Sequence, residues 1–243
     1  MNGYYRIADQ NIEIDSMYGE VQEYCAEYRV SPRTPDYTAR MTPADLEREA
    51  AKVKRLAEYR GQNLSVRPAS FLEVLAVYRK LAEWLPERDT FLMHGSCVAV
   101  DGVGYLFTAR SGTGKSTHTG LWRQLLGERA VMVNDDKPLL KVAQDGSVTA
   151  YGTPWCGKHR IGNRIAVPLK AICVLERSEE NRIQEITRGE AYPMLLQQAY
   201  RPDSREALEK TVGLIERMNV AYYRLGCNMD IGAAELAYHT MKL

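Results

Sequence analysis

Nine consecutive residues, Ala109-Arg110-Ser111-Gly112-Thr113-Gly114-Lys115-Ser116-Thr117, bring glycines, hydroxyls and one lysine together in the order that a phosphate cradle needs. A tight glycine-rich turn between a strand and a helix points backbone N–H groups inward, and the helix N-terminus adds partial positive charge, so such a turn holds phosphates. Gly112 and Gly114 let the chain approach an anion closely. Lys115 is placed to reach β- and γ-phosphate oxygens and the Ser116 hydroxyl to ligate Mg²⁺, as in the pattern Gly-x-x-x-x-Gly-Lys-Ser/Thr. Ser111, Gly112, Thr113, Gly114, Lys115, Ser116 and Thr117 are therefore the expected nucleotide-binding residues. Ala109 stands where that pattern has its first glycine.

Twenty residues after Lys115, an apolar run ends in Asp135-Asp136, where a strand returning from the helix brings carboxylates back beside the loop. One of the pair can hold Mg²⁺ through water, with Ser116 and Asp136 as the expected metal-holding residues, and one can accept the proton of an attacking hydroxyl. His94, in the strand preceding the loop strand, is placed to orient the base and tune it. The segment 152–160 sets Lys158, His159 and Arg160 beside glycines, and a loop closing over a transferring phosphoryl group has that composition. Cys156 lies in the same segment without the histidine and acid that would make it a nucleophile.

The elements that must carry these residues follow from the hydrophobic pattern. Alternation over 4–15 predicts a hairpin turning at Asp9-Gln10-Asn11, and Thr42-Pro43-Ala44-Asp45 caps a charged surface helix running to about Tyr59. Helical spacing from Phe71 to Leu85 predicts a core helix. Two apolar strands, 91–100 and 103–108, meet at Asp101-Gly102, and the second feeds the glycine-rich loop. A helix from Lys115 to Gly127, a strand at 130–133, a hairpin about Asp145-Gly146, a buried strand at 168–176, helices at 189–200 and 205–218, a strand at 221–225 and a last helix from about Asp230 complete the chain.

Composition narrows the remaining classes. The 243 residues carry 32 Lys plus Arg against 31 Asp plus Glu, a net charge of +1, which offers no broad grip on nucleic acid or anionic membrane. Five cysteines without a close pair argue against a disulfide framework or structural zinc. The N-terminus has no apolar signal core and no stretch is apolar enough to span a bilayer, so a cytoplasmic protein is expected.

His94-Gly95, Gly104, Ser111-Gly112-Thr113-Gly114-Lys115-Ser116 and Asp135-Asp136 follow one another in the order and approximate spacing of the catalytic domain of HPr kinase/phosphorylase, which the chain resembles from about Thr90 to Glu176. The cradle is also similar to that of ATP-dependent phosphoenolpyruvate carboxykinase. Two departures are visible: Ala109, and the segment 152–160 where the family has a glycine-rich signature. The resemblance implies an α/β, P-loop fold of the HPr kinase/PEP carboxykinase type, a mixed sheet flanked by helices. Residues 1–65 would form a small α+β elaboration and residues 66–243 the nucleotide-binding, kinase-like domain. It further implies ATP and Mg²⁺ held by Lys115 and Ser116, one of Asp135 and Asp136 as base, His94 in support, and a bacterial, homo-oligomeric enzyme. The expected function is transfer of the γ-phosphoryl group of ATP to a serine-like hydroxyl on a protein, peptide or small molecule. A carboxykinase-like reaction on oxaloacetate and a non-catalytic ATP-binding regulatory module are the alternatives.

Overall fold

The computed structural model describes residues 1–59, 61 and 67–243. The domain boundary expected at 65/66 lies outside the described residues; the chain divides into two compact units, Met1–Trp84 and Leu85–Leu243. The helix beginning at Ala69 is thus counted with the first unit.

In that first unit β1 (Asn2–Ile7) and β2 (Gln10–Asp15) form the expected antiparallel hairpin. Its turn is shorter than anticipated: Ala8 and Asp9 occupy the left-handed region at φ 47° and 63°, the geometry of a two-residue turn whose twist matches the strands. A short helix α1 (Glu20–Tyr24) and a strand β3 (Tyr37–Arg40), parallel to β2, were not anticipated; at five and four residues neither carries a readable period. Helices α2 (Pro43–Tyr59) and α3 (Ala69–Trp84) follow. The side chains that α2 buries are carboxylates, Asp45 and Glu49, which meet Lys80 at 2.9 Å and Arg79 at 2.7 Å on α3.

The second unit is a mixed sheet with helices on both faces. Its strands are β4 (Thr90–Leu92), β5 (Ser96–Val100), β6 (Val103–Thr108), β7 (Ala130–Asn134), β8 (Leu139–Val142), β9 (Val148–Tyr151), β10 (Ala166–Arg177), β11 (Arg182–Ile186) and β12 (Ala221–Cys227). Its helices are α4 (Lys115–Leu126), α5 (Arg188–Gln198), α6 (Arg205–Arg217) and α7 (Ile231–Met241). The Asp101-Gly102 turn, at φ 52° and 82°, joins β5 to β6 as expected.

Strand β10 belongs to two halves of this sheet. Its first residues pair antiparallel with β9 in the run β4-β8-β9-β10, and beyond a bulge at Leu169/Ala171 it lies parallel between β6 and β12. The alternation of strand side chains sorts the core into two layers. Leu106 and Ile172 face Leu195 of α5 and Ile215 of α6, whereas Phe107, Ala171 and Cys173 face Trp122 of α4 and Ala237 of α7. Trp122 is fully buried, a contribution on the order of 3 kcal/mol that docks α4 on the sheet.

Two expectations are corrected here. Residues 91–100 are not one strand: the backbone breaks at Met93–Gly95 because it changes partners. Met93 bridges to Ala199, His94 N–H donates to the Gln198 carbonyl and Gly95 N–H to the Asp136 carbonyl. His94 therefore sits in the break rather than inside a strand. Strand β11 was missed because it is an edge strand with a mostly exposed face, which leaves little apolar alternation to read.

Among the described residues no helix is long and apolar enough to cross a membrane.

Candidate functional site

The glycine-rich loop leaves the end of β6 and enters α4 directly. Gly112 and Gly114 adopt φ 80° and 121°, which strains any L side chain. A Cβ at either would meet no neighbour within 4 Å, so it is the backbone conformation rather than crowding that calls for glycine. Gly114 caps α4 without a side-chain hydrogen bond, and among the described residues no protein acceptor meets the N–H groups of Gly114, Lys115, Ser116 or Thr117. Four adjacent unpaired donors at a helix start are the arrangement that favours an anion. Lys115 is buried and its Nζ donates to the Ala109 carbonyl at 2.9 Å. Burial pushes its pKa down while Asp136 and then Asp135 hold it up. Ala109 itself is fully buried in the layer of Phe107 and Trp122 and its φ is not positive, which is why alanine serves where glycine was expected.

A residue that the sequence reading passed over braces this loop. Arg177, at the end of β10, donates through Nη2 to the Gly112 carbonyl at 2.5 Å and through Nε to that of Thr113 at 3.5 Å. The parallel register sets Val174 opposite Thr108, so the end of β10 emerges beside the loop. Nothing local to Arg177 announces this.

The acidic pair is held by Asn134, the last residue of β7. Its Oδ1 accepts from the N–H groups of Asp136 at 2.9 Å and Lys137 at 2.6 Å, while Nδ2 donates to Oγ1 and the carbonyl of Thr153 at 2.9 and 3.2 Å. One buried amide thus rivets the acidic turn to the segment 152–160. Backbone approach does the rest: a Cβ on Gly152 would lie 1.8 Å from the Asn163 carbonyl oxygen, and one on Gly157 3.0 Å from the Asp136 Cβ.

The two aspartates turn to different partners. Ser96 Oγ donates to Asp135 Oδ1 at 2.6 Å and also meets Thr119 Oγ1 of α4 at 2.8 Å. Asp136 is ion-paired with Lys137 and lies 3.4 Å from His94 Nε2. His94 Nδ1 donates to Gln198 Oε1 at 2.8 Å, which fixes the ring. Burial, then the Lys115 charge, push His94 below its ordinary pKa against the pull of Gln198 and Asp136.

Ser116, Thr119, Gly120 and Arg123 of α4 line, together with Asp135 and His159, a hollow of about 240 Å³ that is open to the surface. Of the three cations expected to act in segment 152–160, His159 lines this cavity and Lys158 and Arg160 do not. Cys156 is buried with its Sγ toward the Pro154 carbonyl at 3.5 Å. His118, set aside in the sequence, is a packing residue: Phe107 meets its ring edge-on, Trp122 Nε1 donates to its Nε2 at 3.1 Å, and burial lowers its pKa to about 4.

Among the described residues no three His, Cys, Asp or Glu side chains gather as a metal cage. The available donors, the Ser116 hydroxyl and the aspartates, suit a hard cation that keeps several waters, as Mg²⁺ does.

The family model described as "SynChlorMet cassette protein ScmC" matches residues 66–211. Among solved structures, the Hpr(Ser) kinase/phosphatase from Coxiella burnetii superposes with a TM-score of 0.36 and 11% identity, over 62% of this chain and 92% of that one. No curated protein matches.

Proposed function

For a chain that belongs to the family of SynChlorMet cassette protein ScmC, we propose an ATP-dependent kinase that transfers the γ-phosphoryl group to a serine-like hydroxyl. The observation that carries this reading is the juxtaposition of a glycine-rich loop, with its buried lysine, and an acidic pair whose Asp135 is tied to the same helix through Ser96 and Thr119.

The phosphates would lie against the N–H groups at the start of α4, with Lys115 exchanging the Ala109 carbonyl for phosphate oxygens. Ser116 and, through water, Asp136 would hold Mg²⁺, which neutralises charge on the phosphates when bound. Asp135 is the proton acceptor in this reading, because it lines the cavity while Asp136 is occupied by Lys137 and His94. The acceptor oxygen bonds to the γ-phosphorus and the bond from that phosphorus to the β–γ bridging oxygen breaks. ADP leaves, and the hydroxyl proton passes to the Asp135 carboxylate. His94 acts behind the pair: once its Nε2 carries a proton, it donates toward Asp136, which lies 3.4 Å away.

The test is incubation with γ-labelled ATP, Mg²⁺ and a lysate or metabolite pool. A labelled acceptor is expected, with Asp135→Asn slowing its formation at least about 100-fold, the usual span of a lost general base. Transfer that persists unchanged in both Asp135→Asn and Asp136→Asn refutes the assignment. Phosphoenolpyruvate formed from oxaloacetate with Mn²⁺ would favour carboxykinase chemistry instead.

A further inference from the structure

The kinase reading leaves the receiver of the phosphoryl group open, and the cavity beside Asp135 speaks to it. Its floor is one face of α4, on which Ser116, Thr119, Gly120 and Arg123 recur at helical spacing. Ser116 and Arg123 are seven residues apart, roughly 10 Å along the axis. Helical side chains lean toward the N-terminus, so Arg123 and Ser116 share this face, and Asp135 and His159 line the same cavity.

Arg123 and His159 are exposed and make no ion pair or hydrogen bond among the described residues. The Arg123 guanidinium presents a planar fork of donors suited to a ligand carboxylate. Asp135 lines the same cavity, and its recorded partner is Ser96 rather than Arg123. The volume, about 240 Å³, is below the usual range for drug-sized ligands. A Cβ built on Gly120 meets nothing within 4 Å, so the missing side chain is part of the hollow.

We propose that this cavity is the acceptor pocket and that it takes a small hydroxy acid. The carboxylate sits between Arg123 and His159, and the hydroxyl, two to four bonds away, lies against Asp135. The assignment rests on the kinase reading above. The reaction is the transfer already written, with a hydroxy-acid oxygen as the nucleophile, so the product is the phosphomonoester of that acid and ADP.

The test uses the full chain with Mg²⁺ and γ-labelled ATP, and as probes L-serine, L-homoserine, D-glycerate and L-malate beside the neutral L-serinamide and glycerol. ATP affinity is measured in parallel. The expected result is a labelled phosphomonoester from at least one carboxylate probe, with kcat/KM for the neutral probes at least tenfold lower. Arg123→Gln should raise KM for that acid at least tenfold with kcat and ATP affinity within about threefold. Gly120→Val, whose helix propensity is no worse than glycine's, should abolish transfer while ATP still binds. Equal use of neutral probes, an unchanged KM in Arg123→Gln, or bound ATP without transfer to any carboxylate probe overturns the pocket assignment and leaves the kinase reading in place. Failure of the wild-type chain to bind ATP overturns the reading beneath it.

Discussion

Replacing Asn134 by alanine is expected to separate catalysis from nucleotide binding. The side chain is fully buried and makes four hydrogen bonds, two from Oδ1 to the acidic turn and two from Nδ2 to Thr153. A buried polar group left unpaired costs roughly 1–3 kcal/mol. The N–H groups of Asp136 and Lys137 belong to half-buried residues and recover water, so they count at the low end. The Thr153 hydroxyl keeps the Lys137 carbonyl at 2.9 Å, which leaves its own carbonyl as the main loss. The sum is about 2–4 kcal/mol, read as a lower urea midpoint at unchanged slope. The acidic turn also loses its rivet to segment 152–160, and displacement of a catalytic group by about 1 Å costs on the order of 100-fold in rate. Phosphoryl transfer should therefore fall about 100-fold while ATP affinity stays within threefold, since no Asn134 contact reaches the glycine-rich loop. A cycle with Thr153→Val should return a coupling energy of about 1 kcal/mol or more. A variant that is as stable as wild type to within about 0.5 kcal/mol, or that loses ATP binding and transfer in equal measure, would refute this reasoning.

Two further outcomes follow from the same geometry. Arg177→Met removes two bonds to loop carbonyls from an exposed side chain; ATP affinity should fall about tenfold with stability within about 0.5 kcal/mol, and an unchanged affinity in isothermal titration would contradict it. His118 has a folded pKa of about 4 against an ordinary 6.5, so the unfolded state takes up the proton first as pH falls. Stability present above pH 6.5 should thus be lost by about 3 kcal/mol on reaching pH 4, and His118→Gln should flatten that part of the curve; equal slopes in the two proteins would exclude His118 as the source.

Much of the second unit was legible because its signals are local. The run from Val103 through the glycine-rich loop to Asp136 reads as strand, loop, helix and strand, and Asp101-Gly102 and Asp145-Gly146 mark their hairpins. What was not legible depends on pairing across the chain. Ser96 and Thr119 are unremarkable in sequence until β5 and α4 bring their hydroxyls together, and Arg177 matters only because β10 aligns in parallel with β6. Asn134 ends β7, and its value lies in Thr153, nineteen residues on. The break at His94 is marked only by His94-Gly95-Ser96 between two apolar stretches, and three residues do not tell a change of hydrogen-bond partners from a polar patch within one strand. Segment 152–160 read as a cationic loop, yet its glycines are explained by backbone approach to Asn163 and Asp136, a tertiary constraint without a local period.

Strand β10 also governs how the second unit can be made. Its parallel partner β6 lies more than sixty residues upstream, and its other partner β12 begins at Ala221, so the apolar run Ala171-Ile172-Cys173-Val174-Leu175 has no closed edge until nearly the whole chain has been synthesised. Pairings of such sequence separation form slowly, and an unpaired apolar strand is a template for association with other chains. Fragments ending before Ala221 would therefore yield aggregates rather than a smaller working unit, and the useful minimal piece extends through α7.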